Sequence, residues 1–70
     1  MTKLMTVRKK SGYSRAEIAQ LADIPVKTLE AYEQGRRSVM GMKIDRVWRL
    51  CQILHCEPDE IIEDEDLNNM

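Results

Sequence analysis

The stretch Val26-Lys27-Thr28-Leu29-Glu30-Ala31-Tyr32-Glu33 places polar and small side chains at helical spacing. At about 100° per residue, Leu29 and Tyr32 share one side, Lys27, Glu30 and Ala31 share the opposite side, and Val26 and Thr28 flank it. The outward set has a definite chemistry. Lys27 can donate to the ring and carbonyl acceptors of guanine, Val26 and Ala31 can pack against thymine methyls, and Thr28 suits a base or a phosphate. Val26 fits equally well at the edge of a core. Glu30 stands apart: near phosphates a carboxylate is repelled unless it accepts from a cytosine amino group, so it either reads cytosine or faces solvent. Side-chain geometry favours solvent.

Anion-binding chemistry flanks this stretch. Ser14 and Arg15 stand where a helix start offers free amides and a favourable dipole. Gln34, Arg36 and Arg37 follow the stretch, and Lys43 precedes the next apolar run. All six are candidate phosphate ligands. Lys3, Lys9 and Lys10 fit a solvated face, the default for charged residues on helix surfaces. Cys51, His55 and Cys56 do not close a tetrahedral metal site, because one of the three points into an apolar stripe. The acids from Glu57 to Asp66 lack the glycine and alternating spacing of a calcium loop. Nothing supports catalysis: the chain has one histidine, no nucleophile beside a base and no glycine-rich phosphate loop. No cofactor, metal or small-molecule ligand is expected.

These side chains need elements to hold them. Ser11-Gly12, Asp23-Ile24-Pro25, Gln34-Gly35 and His55-Cys56-Glu57-Pro58 punctuate the chain, and the segments between them carry helical spacing without sustained alternation. The class is all-α, with five helices. Leu4, Met5 and Val7 form the inward stripe of the first, and Gly12 supplies its left-handed stop. Ser14-Arg15-Ala16-Glu17 is a capping box that starts the second, with Ile18, Ala19, Leu21 and Ala22 inward. Pro25 opens a short third helix ending near Glu33. Residues 36–42 read as a loop. Ile44, Val47, Trp48, Cys51 and Leu54 give the fourth helix its inward stripe, widened by Leu50 and Ile53. Pro58-Asp59-Glu60-Ile61-Ile62 predicts the start of a fifth, with a frayed acidic tail beyond Glu63.

Two helices of about eight residues joined by Ala22-Asp23-Ile24-Pro25 have the spacing of a helix-turn-helix. To these add Leu4, Val7 and Arg8, then Gly12-Tyr13-Ser14, Ile18-Ala19, Ile24-Pro25 and Thr28-Leu29. Tyr32-Glu33-Gln34-Gly35-Arg36-Arg37, Leu50, Leu54 and Asp59-Glu60-Ile61-Ile62 complete the series. In this order the chain resembles, over residues 3–63, the phage-repressor type of helix-turn-helix domain, the Cro/cI-like or XRE family. The resemblance implies a compact lambda-repressor-like fold with the third helix (about residues 25–33) in the DNA major groove and the second across the backbone. It also implies a homodimer on a two-fold symmetric operator. Val26, Lys27 and Ala31 match the family's base-contacting positions; Arg15 stands where the family commonly has Gln, and His55 where it usually has Gly or Asn. Arg8 and Glu33 match an ion pair tying the first helix to the end of the third.

Composition bounds the rest. A 70-residue chain can form one small domain, read here as a helix-turn-helix domain over residues 1–63 and an acidic tail over 64–70. At 43% hydrophobic residues it is too apolar for disorder. No apolar run approaches the ~18 residues of a membrane span. Without a secretory signal, cytoplasmic residence with reduced cysteines is the default. The net charge of −1 argues against a polyanionic partner, but its distribution does not. Residues 1–50 hold eleven basic and five acidic residues, a subtotal of +6, whereas 51–70 hold seven acids and no base, a subtotal of −7. The tail is expected to face away from DNA, and Ile62, Leu67 and Met70 are apolar candidates for a dimer contact. The resulting reading is a sequence-specific DNA-binding transcriptional regulator, a repressor, partnered by double-stranded DNA. The alternative is a helix-turn-helix used as a protein-interaction or antitoxin-like module, supported by the acidic tail, Glu30 and a reading face with a single lysine.

Overall fold

The computed structural model describes residues 1–67, and each helix in it starts and stops on a local signal. α1 (Lys3–Ser11) begins where the Thr2 hydroxyl accepts from the Met5 amide at 3.2 Å and ends at Gly12, whose φ of +84° is left-handed. α2 (Arg15–Ala22) opens on a complete capping box: the Ser14 hydroxyl accepts from the Glu17 amide at 3.1 Å, and the Glu17 carboxylate accepts from the Ser14 amide at 2.9 Å. α2 stops at Asp23, a non-glycine residue with φ +56° that a short polar side chain tolerates. α3 (Val26–Glu33) follows with Pro25 as its N-cap, its carbonyl accepting from the Leu29 amide at 3.0 Å. α4 (Ile44–Leu54) stops at His55, φ +53°.

α2 packs on α3 and on α4, and α1 lies against α3 and α4. Ala19 and Ala22 are buried and small, which lets the other helices approach α2 closely. Leu4, Ile18, Leu29, Leu50 and Ile61 fill the centre, and Ile24 in the helix-turn-helix turn is buried with them. Among the described residues this all-helical, five-helix arrangement agrees with the class read from the sequence.

Three details depart from that reading. The first is the fifth helix: Pro58–Glu60 forms only a 3-10 turn, and α5 is the helical turn Asp64–Leu67, inside the segment expected to fray. Ile61 and Ile62 fall between the two and plug the core. Second, Leu21, Ile44 and Trp48 are exposed rather than inward. On α4 the seven apolar side chains span an arc of about 220° at 100° per residue, wider than the core can cover. Packing takes the middle of the arc (Val47, Leu50, Cys51, Leu54) and leaves Ile44 and Trp48 at one edge, 69% and 55% exposed. Third, the loop after α3 contains a 3-10 turn, Val39–Gly41, which buries Val39 and Met42.

Candidate nucleic-acid interface

The surface around α3 rests on a buried ion pair. Arg8 Nε donates to Glu33 Oε2 at 2.7 Å and Arg8 Nη2 to Glu33 Oε1 at 3.1 Å, a two-point contact that holds α1 to the end of α3. The remaining guanidinium nitrogen, Nη1, donates to the Tyr13 carbonyl at 3.0 Å, so the same arginine fixes the approach to α2. The Thr2 hydroxyl donates to the Glu33 carbonyl at 2.6 Å, adding a second tie between α1 and α3.

Arg15 extends this cluster to the surface. Its Nε donates to Glu33 Oε1 at 3.2 Å, and its Nη1 reaches Glu30 Oε2 at 3.1 Å. The other oxygen of Glu30 accepts from Arg36 Nη2 at 3.4 Å. Glu30 therefore neither reads a base in this state nor stands free in solvent. It clasps two of the candidate phosphate ligands, one from the start of α2 and one from beyond α3.

Arg36 arrives there because of the way α3 ends. Gly35 has φ +79°, its amide donates to the Tyr32 carbonyl at 3.2 Å, and the Arg36 amide donates to the Ala31 carbonyl at 2.9 Å. This is a Schellman stop, which requires the left-handed residue. It folds the basic segment back on α3, and Arg37 comes to lie over the Tyr32 ring, 5.3 Å from its centroid.

The other sequence-derived residues take these places. Val26 is 46% exposed, which removes the core-edge reading, and Lys27 beside it is exposed with no ion pair among the described residues. Thr28 and Ala31 are half-buried on α3. Ser14 is exposed, its oxygen engaged as the α2 cap; Gln34 is exposed as the C-cap of α3. Lys43 is the exposed N-cap of α4, and no side-chain bond among the described residues ties it to this group. Lys3 leaves the solvated face assigned to it: its Nζ pairs with Asp64 at 3.1 Å and its amide donates to Glu63 at 2.7 Å.

Two ionisable settings are perturbed. The Ser14 amide, and then its hydroxyl, hold the Glu17 carboxyl below its ordinary value, as a capping carboxylate requires. Burial, and then the neighbouring Cys51, push the Cys56 thiol up to about 12, and burial also raises Cys51. Both are thiols rather than thiolates at neutral pH, which suits small apolar packing residues.

The clasp by Glu30 was missed in the sequence, although half of its signal was present. A Schellman stop after α3 returns the chain beside the last turn, so residues six apart across Gly35 can meet. The contact of Arg15 with Glu30 depends on the packing of α2 on α3 and has no local signal. Residues 3–66 match a family model described as Cro/C1-type HTH DNA-binding domain. No curated protein and no solved structure matches the chain.

Proposed function

The chain belongs to the Cro/C1-type helix-turn-helix DNA-binding domain family, and from that premise we propose that it is a sequence-specific repressor that reads the major groove with α3. The observation that carries this reading is the convergence of Arg15 and Arg36 on Glu30, at 3.1 and 3.4 Å, which gathers two cations from the start of α2 and from beyond α3 on the exposed face of α3. Toward its N-terminus α3 exposes Val26 and Lys27, with Thr28 and Ala31 half-exposed. In this reading Lys27 donates to guanine, Val26 and Ala31 meet thymine methyls, and Thr28 serves a base or a phosphate. Ser14, Arg15, Gln34, Arg36, Arg37 and Lys43 hold the phosphates and set the register. Repression needs only occupancy, because a bound domain excludes other proteins from the same DNA.

The operator is engaged by a homodimer. The molecule is 31 Å in its longest dimension and has one reading helix, while successive major grooves on one DNA face lie roughly 34 Å apart. A second copy is required to reach the next groove. Of the dimer candidates read from sequence, Ile62 is buried and Leu67 packs against the core, and Met70 lies outside the described residues. The exposed pair Ile44 and Trp48 on α4 is the better surface, and its charges suit a second copy of this chain. In an antiparallel pair centred between them, Ile44 meets the partner's Trp48, and Asp45 lies within about 3 Å, along the axis, of the partner's Arg49 at 1.5 Å per residue. Opposite charges thus meet twice across the two-fold axis.

The test is a mobility-shift titration across a salt series. With five or six phosphates neutralised per protomer, log K should fall against log salt with a slope of about −4.5 to −5.4 per protomer. Lys27→Ala should change the sequences selected from a random duplex pool, whereas Arg36→Ala should weaken all duplexes alike. A chain that ignores DNA and elutes with a protein partner would overturn the reading in favour of an interaction module.

A further inference from the structure

Both oxygens of the Glu30 carboxylate are occupied by guanidinium groups assigned above to phosphate: Oε2 by Arg15 Nη1 at 3.1 Å and Oε1 by Arg36 Nη2 at 3.4 Å. The clasp is open to solvent, since the Arg15, Glu30 and Arg36 side chains are 28%, 36% and 62% exposed. Such pairs are weak and exchangeable. Arg15 is also anchored from behind by the buried carboxylate of Glu33, through Nε at 3.2 Å, so its terminal nitrogens can change partner while its shaft stays in place. The geometry points to Glu30 as an internal counterion of the DNA-binding face. We propose that in the free protein it occupies the positions of two phosphates around Arg15 and Arg36, and that DNA takes these arginines only by displacing it.

This inference rests on the DNA-reading geometry proposed above and adds a consequence to it. Displacement costs the same on any duplex, because phosphates carry no sequence. Glu30 thus lowers affinity uniformly and leaves base choice to Lys27 and its neighbours. It also lowers the salt dependence, since the freed carboxylate gathers cations while the phosphates release theirs. In the free state Glu30 keeps the two arginines ordered and lowers their joint charge from +2 to +1, which limits the hold of the domain on arbitrary DNA.

Glu30→Gln in the full chain tests this, with the native protein and Arg36→Ala beside it. Against both a selected operator and a scrambled duplex at low salt, Glu30→Gln should bind tighter by the same factor. The factor expected from two exposed pairs is roughly two- to thirtyfold, and the salt slope should steepen by about one per protomer. Glu30→Ala should act in the same direction. Weaker binding to both duplexes would overturn the proposal and make Glu30 a positioning residue for the arginines. A change confined to duplexes altered at one cytosine would overturn it and make Glu30 a base reader. Unchanged affinity and slope would also overturn it, because Glu30 would then not compete with DNA for the two arginines. Failure of the underlying reading looks different: the native protein would then show no salt-dependent binding, and Arg36→Ala would have no effect.

Discussion

The Glu33 side chain has no solvent access, and three N–H groups hold its carboxylate: two from Arg8 and one from Arg15. Among the described residues no buried side-chain nitrogen or oxygen lacks a partner, so this cluster is fully satisfied as it stands. Replacing the pair by apolar residues would cost little, but removing one partner strands the other, at roughly 3–5 kcal/mol. For a 70-residue chain, with total stability of about 0.05–0.15 kcal/mol per residue, that is a large share. Glu33→Ala is therefore expected to unfold or loosen the domain, as a urea melt would show; a loss below about 1 kcal/mol would refute the role given to the pair. The pairing of Arg8 with Glu33 was legible through resemblance alone, because residues so far apart in the chain leave no local signal. Glu30 was legible as an anomaly, a carboxylate among cations, while its partners emerged once α2 and α3 were packed together.

At the scale of elements, what the sequence showed best was where helices begin and end. The Ser14–Glu17 box, Gly12 and Gly35 act through bonds within a few residues of themselves, and such bonds are visible in a linear string. Which side of a helix faces inward depends on the neighbours that cover it. α4 carries more apolar surface than the core accepts, so periodicity alone assigned Ile44 and Trp48 to the interior that Val47, Leu50, Cys51 and Leu54 occupy. The fifth helix shows the same limit: acids and proline marked a start at Pro58, but Ile61 and Ile62 both turn to the core, and after one 3-10 turn the helix resumes only at Asp64. The misplaced stripe on α4 is the proposed dimer surface. Trp48→Glu should shift a sizing-column or sedimentation profile from dimer to monomer, with a change in protomer stability within about 0.5 kcal/mol because the ring is already half in water. A dimer that survives this change would exclude the α4 surface.

Over the whole molecule, the separation of charge along the chain is only partly a separation in space. The acids after Glu57 were expected to lie away from the basic face. Instead Lys3 pairs with Asp64, the Lys3 amide donates to Glu63, and the Ser38 hydroxyl donates to Asp66 at 2.8 Å. Ser38 follows Arg36 and Arg37 directly, and Glu65 and Asp66 line the same groove as Gln34, Gly35 and Arg37. Glu65 and Asp66 thus lie alongside the basic turn that follows α3, near enough to weaken its attraction for a polyanion. Two unit charges about 10 Å apart in water interact by roughly 0.4 kcal/mol, so two carboxylates beside that turn should cost a factor of about four in affinity at low salt. Replacing Glu65 with Gln and Asp66 with Asn, which leaves an acceptor for Ser38, should recover this factor on every duplex without altering sequence preference. The gain should fade as salt shortens the screening length to a few ångströms. A gain that persists in high salt would mean that the tail blocks the surface sterically, and a loss of affinity would mean that Asp66 positions the turn for phosphate.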